Sequence, residues 1–193
     1  MSSYLLPPPL SLLISLMLII GSFKLGELIL LNKRLKNITI AISEIDFQKL
    51  IVGHVFSLFI LFPLVSFTRN ASFFLKFYAF ILVILGFLKI ITFIKKVNLR
   101  DYYLRTGKFF NLSTLILLLY FILACSPETS PDALDYHYGS ALNILRFDHY
   151  VIQNHWFTLA QSGVGEILIA LGLSFGSEQF GSLIQFSSLL SIF

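Results

Sequence analysis

Four side chains in one short run carry the densest chemistry of this sequence: Asp132, Asp135, Tyr136 and His137. They lie in SPETSPDALDYHYGSALNILR, residues 126–146, the tightest cluster of acids in a chain that is hydrocarbon-like on both sides of it. Carboxylates beside an imidazole suit proton removal from a hydroxyl, or the holding of a cation. Ser130 followed by Pro131 reads as a helix start, Ser130 as N-cap and Pro131 at the first helical position. A helix over 131–147 puts Leu134, Tyr138, Ala141, Leu142 and Leu145 on one side. Asp132, Asp135, Gly139, Asn143 and Arg146 fall on the other. The pattern predicts an amphipathic helix on a membrane surface, apolar side down, with its aspartates in water. Asp132 falls in the first turn, near the positive end of the helix dipole, which favours the ionised carboxylate. An ionised acid there can act as a general base toward a hydroxyl; it is equally a common way to stabilise a helix start.

Asp135 and His137 with Asp132, joined by His149 or His155, are the candidate ligands of a divalent ion. Their spacing matches no specific metal pattern, so the expected cofactor is none, with a divalent metal as the weaker alternative. His149, His155 and Trp156 fit better as interfacial residues leading into the next apolar segment. Glu166 lies near the start of that segment, where an acid is costly unless it faces a polar cavity or a partner.

The elements that must hold this stretch are apolar. Hydrophobic residues make up 56% of the 193-residue chain and charged residues 12%, with a mean hydropathy of +0.85. Soluble domains carry about twice that charged fraction. A soluble fold of this size cannot bury so much apolar surface, which leaves an integral membrane protein. The long unbroken apolar runs point to helices, whereas a membrane barrel shows short alternating segments. The expected fold is all-α, a polytopic transmembrane bundle of about six hydrophobic segments, with the amphipathic helix in the loop after the fourth. The segments cover residues 10–31, 50–67, 73–94, 109–125, 164–175 (extending back toward Phe157) and 180–193. Residues 1–108 thus carry the first three, and residues 109–193 a span, the acidic loop and two further spans. The last run stops without a flanking charge or tail, which reads as a truncated or split chain.

Smaller features fit this frame. Lys24 and Glu27 share a helix face and read as an ion pair with Lys24 snorkelling outward, or as a polar contact to another helix. His54 reads as an interface residue, and Pro63 as a candidate kink. Cys125, the single cysteine, has no partner for an internal disulfide. The start MSSYLLPPPL has no basic residue and no evident cleavage site, so the first segment is expected to stay in the chain.

The formal charge of +4 comes with basic clusters between apolar runs, as in juxtamembrane loops, and does not call for nucleic acid. Lys33, Arg34 and Lys36 follow the first segment, and Lys95, Lys96, Arg100, Arg105 and Lys108 follow the third. The positive-inside bias puts both loops in the cytoplasm and the acidic loop, residues 126–156, outside a bacterial-type inner (plasma) membrane.

Ser130-Pro131-Asp132-Ala133-Leu134-Asp135-Tyr136-His137, the amphipathic helix, and then GVGEILIALGLSFGSEQFGSLIQ resemble the first outside loop and following spans of GT-C-fold glycosyltransferases. The likeness is nearest the group related to protein mannosyltransferases and the lipid A aminoarabinose transferase, and it covers residues 109–193. It implies an external loop with an essential Asp, a juxtamembrane helix, and a polyprenyl-phosphate-linked sugar as donor. On that resemblance Asp132 is the catalytic base. The adjacent acid usual in the superfamily is Ala133 here, with Asp135 as its candidate replacement. Asp135 and His137 would position the acceptor or a metal, Arg146 would contact a phosphate, and Glu166 would add a polar group to the substrate site. In such enzymes the first span usually precedes the motif directly, whereas here three spans come before the one that leads into it. The expected partners are membrane lipids, the lipid-linked sugar and a second chain supplying missing spans. The alternative is a non-catalytic membrane subunit, or a truncated remnant, that binds partner helices. A small transporter is a weaker rival, because few ionisable residues lie within the spans.

Overall fold

Apolar runs free of charge fold as helices in a membrane because only then does each segment satisfy its own backbone hydrogen bonds. The structure, a computed structural model, describes residues 5–31, 48–96, 110–131, 133–150 and 163–190. Among these residues there are seven α-helices and one π-helical turn, and no strand. In order they are α1 (Pro8–Leu30), α2 (Gln48–Phe67), α3 (Ala71–Lys96), α4 (Phe110–Cys125), the π-turn (Ala133–Tyr138), α5 (Gly139–Phe147), α6 (Gly165–Ser174) and α7 (Phe180–Leu190). Pro7, Pro8 and Pro9 lead into the first turn of α1, where the missing N–H groups cost nothing.

Three of the helices are long and apolar enough to cross a membrane: Pro8–Leu30, Gln48–Phe67 and Ala71–Ile94 within α3. The chain is a helical membrane protein. Its burial pattern is inverted relative to a soluble bundle. The inward face of α1 is Ser11, Ser15, Leu18, Gly21, Ser22 and Gly26, while Leu10, Leu13 and Leu28 face outward. Small residues let backbones approach, and lipid takes the large side chains. The approach is close enough that a Cβ at Gly21 would lie 2.0 Å from the Leu82 carbonyl oxygen of α3. One at Gly53 of α2 would lie 1.9 Å from the Ser22 carbonyl oxygen of α1. Tyr78 donates to Ser57 at 3.0 Å and ties α3 to α2. Pro63 does not interrupt α2.

The later segments are shorter. Helix α6 has ten residues, about 15 Å, half the hydrocarbon core. Its first turn meets the π-turn, and Ser174 at its other end lines a cavity with Ser72 and Lys76 near the start of α3. Ile167, Leu168, Ala170, Leu171 and Leu173 are buried. A helix apolar all round is as suited to a protein interior as to lipid, so hydropathy alone assigned residues 164–175 to a span. Helices α4 and α7 have sixteen and eleven described residues.

The amphipathic helix also differs from expectation. Residues 133–138 form a π-turn before α5 begins. The wider turn slips the helical register. Tyr138, Ala141 and Ile144 are buried, while Leu134 points outward. The buried side rests on protein, chiefly α6, rather than on lipid. Glu128 Oε1 accepts the backbone N–H groups of Thr129 and Ser130 at 3.1 and 2.9 Å, so an acid two residues upstream organises the approach to this turn. At the other end, Asp148 adopts a left-handed conformation (φ 59°) and ends α5. Its carboxylate accepts from Ser72 N at 2.9 Å and its carbonyl from Ala71 N at 3.0 Å. Tyr150 N donates to Val65 O at 2.9 Å. These bonds fix α5 to the end of the bundle where α2 stops and α3 starts.

Candidate functional site

A cavity of about 340 Å³ opens where the π-turn crosses α6 and α7. Glu128, His137, Tyr138, Glu166, Ser182 and Gln185 supply its polar walls, and Leu168, Ile169 and Ile184 its apolar ones. Glu166 sits in the first turn of α6 and is 3% exposed. His137 reaches it from the π-turn, Nδ1 lying 2.8 Å from Oε1. The other oxygen, Oε2, is buried with no hydrogen-bond partner among the described residues. A buried carboxylate oxygen left unmatched is costly, and such cost is tolerated where a ligand completes the set.

Tyr138 forms the adjoining wall. Its hydroxyl donates to the Glu178 carbonyl at 2.8 Å. Burial pushes the phenol up to about 12, nearby Glu128 and Glu178 push the same way, and a hydrogen bond with Ser182 opposes them. It remains a protonated donor at physiological pH. Glu178 Oε1 in turn accepts the N–H of Glu128 at 3.2 Å, and Ser182 donates to Glu128 Oε2 at 3.4 Å. The turn between α6 and α7 is locked to α1: Ser15 shares a hydrogen bond with Ser177, and Glu178 N donates to Ser11 Oγ at 3.2 Å. Gly176 takes φ +80°, and its carbonyl accepts from Leu6 N at 3.1 Å. Glycine suits that left-handed turn, and a Cβ there would also press on Leu6.

The sequence-predicted residues separate. His137 and Glu166 are brought together although they stand 29 positions apart. Asp132 lies outside the described residues. Asp135 is in the π-turn, and its side chain lies outside them too, as do His155 and Trp156. Arg146 is exposed on α5, its guanidinium 5.7 Å from the Phe147 ring, and it does not line this cavity. His149 bonds the Phe147 carbonyl through Nδ1 at 2.7 Å. His54 is buried between α2 and α7, with Nε2 3.3 Å from Ser187 Oγ. Among the described residues, no three His, Cys, Asp or Glu side chains converge as a metal ligand set.

Glu128, Tyr138, Glu178 and Ser182 were not expected in the site. Glu128 and Glu178 read as loop and turn residues, and Tyr138 as a lipid-facing residue. The available signal was that Glu128 and Glu178 both sit at the ends of apolar segments, where helix termini can bring acids together.

The DUF1420 N-terminal domain matches residues 2–108 and 102–193. The chain belongs to this family. No curated protein and no solved structure matches it. Membership of the DUF1420 family does not of itself assign an activity.

Proposed function

We propose that this chain is the N-terminal part of a GT-C-type glycosyltransferase that moves a sugar from a polyprenyl-phosphate donor to an acceptor. The observation that carries the reading is the buried Glu166, paired with His137 and with Oε2 unmatched among the described residues, in a cavity beside the acidic stretch. A polar cleft at the end of an apolar bundle suits a substrate with a polar head and a lipid tail. Asp132 takes the proton of the acceptor hydroxyl. The acceptor oxygen bonds to the sugar's anomeric carbon as the bond to the phosphate oxygen breaks, and polyprenyl phosphate leaves. Glu166 orients His137, which with Asp135 positions the acceptor, and Arg146 meets the phosphate. The six apolar segments belong to a bundle in the inner (plasma) membrane, with residues 126–156 on its outer side. Further spans or a second chain complete the donor site.

One observation favours a non-catalytic subunit instead. Leu115, Ile116, Leu118, Leu119, Ile122 and Leu123 of α4 all face outward, and the helix packs mainly on α7. That surface would suit a partner helix as well as lipid.

The test uses the full-length protein in membranes charged with a radiolabelled polyprenyl-phosphate sugar. Transfer of label to an acceptor is expected, with a drop of about 100-fold or more in Asp132→Asn at equal membrane abundance. Unchanged transfer in that variant removes the catalytic reading and leaves the subunit.

A further inference from the structure

The Glu166 cavity continues beyond its polar walls. A groove of about 410 Å³ adjoins it between α4 and α7, and the two spaces share Glu128, Ser182 and Gln185. Leu123 and Ala124 of α4, with Phe186 and Leu189 of α7, line the groove further on. From Ser182 to Leu189 it follows α7 for about 10 Å. Leu123 belongs to the exposed apolar face of α4, so the groove opens sideways onto an apolar surface. Among the described residues, no lysine or arginine lines either space. Glu166 brings an oxygen, Oε2, with no partner among the described residues, on a side chain 4% exposed. Ser182 meets Glu128 Oε2 at a long 3.4 Å, and a carboxylate oxygen accepts more than one bond. Burial pushes the Tyr138 phenol up, and Glu128 and Glu178 push it the same way, which marks this wall as electronegative.

We infer that cavity and groove together hold a lipid without phosphate, its hydroxyl head against Glu166 and Glu128 and one acyl chain along α7. The walls of the cavity accept hydrogen bonds, so the head must donate them. A phosphate in the same place would meet two acids and no lysine or arginine among the described residues. The chain gains little by leaving the bilayer for the groove, since both are hydrocarbon. The groove therefore sets which molecules reach the site, and the carboxylates choose among their heads. The inference rests on the reading of this cavity as the place of the acceptor hydroxyl, and adds that the acceptor is itself a lipid.

The test reconstitutes the full-length protein in phosphatidylcholine vesicles that hold small, equal amounts of dioleoylglycerol and its O-methyl ether. The protein is re-extracted gently and its retained lipid measured by mass spectrometry. Dioleoylglycerol is expected in excess over the ether by about tenfold, the ratio that one hydrogen bond to a charged group supplies. Gly165 lines the cavity and a Cβ there meets nothing within 4 Å, so Gly165→Leu fills it without a clash. Leu189→Trp fills the groove from a half-buried position. Each should abolish the excess while thermal stability is kept. Equal retention of alcohol and ether overturns the inference, and so does an excess that survives both substitutions. Preference for phosphatidic acid over dioleoylglycerol, in vesicles holding both, overturns it as well, by naming a phosphate head. Failure here is distinct from failure of sugar transfer. Dioleoylglycerol held by a protein that moves no sugar leaves the lipid site and removes the transferase; transfer to a water-soluble acceptor without lipid retention does the opposite.

Discussion

Two glutamates in apolar helices divide the molecule. Glu27, in the α1–α3 region, has a lysine on each oxygen, at 2.7 and 3.0 Å, and its side chain is 20% exposed. Glu166, in the α5–α7 region, has His137 on one oxygen, no partner among the described residues on the other, and a side chain 4% exposed. Both carboxylates are at least partly withdrawn from water, so the cost of a bare carboxylate acts on each, more strongly on the buried Glu166. Around Glu27 the cost is met within the protein, and the surrounding helices close to backbone contact. Around Glu166 it is only half met, and a cavity stands beside it. The difference separates an acid that ties helices together from one that borders a cavity with one oxygen unmatched among the described residues.

The largest effect should come from the closed region. Gly21→Val puts a methyl-bearing Cβ on the Leu82 carbonyl, which the backbone cannot evade. Loss of at least about 3 kcal/mol, seen as little folded protein in detergent, is expected. A normal melting curve for Gly21→Val would break the picture of a tightly shut α1–α3 interface.

Next come the two acids, exchanged for their amides. Glu166→Gln should reduce activity about 100-fold, as befits a positioning residue, and cost less than about 1 kcal/mol of stability, because a neutral amide is cheaper to bury. Glu27→Gln should do the reverse: activity within about twofold, and about 1 kcal/mol of stability lost, a small figure because water screens part of the cluster. Thermal melts and transfer assays on the same two preparations decide it. If both variants behave alike, the contrast between the regions is mistaken.

A smaller change is expected for Tyr138→Phe, which removes the bond to the Glu178 carbonyl but keeps the ring. About 1 kcal/mol of stability should be lost, read by thermal unfolding. Smallest is the pH effect of Asp148. Hydrogen bonds from Ser72 hold its carboxyl below its ordinary 3.8. A depressed carboxyl stabilises the fold above the unfolded value, and the contribution fades as pH falls through the folded one. Melting temperature should thus decline below pH 4, and Asp148→Asn should flatten that decline.

Much of the frame was legible in the residues. Long apolar runs around 10–31, 50–67 and 73–94 became α1, α2 and α3, since length and apolarity are what a bilayer demands. Lys24 and Glu27 were readable as partners because they are one helical turn apart. Lys89, the third member, was not, being 62 positions from Glu27. Likewise the residues of the acidic stretch announced chemistry, yet Tyr138 was assigned to lipid because the apolar side of its helix was taken to rest on the bilayer, whereas it rests chiefly on α6.

The amino-acid order alone determined that this is a helical membrane protein, because apolar length and the need to satisfy the backbone in lipid act within each segment. It also singled out His137 and Glu166 as polar groups needing a reason. Only the tertiary structure decided that they meet, that α6 stays inside the protein, and that Glu128, Tyr138 and Glu178 join them. Those outcomes depend on how separate helices pack, where small residues allow close approach and a slipped turn chooses which side chains face inward.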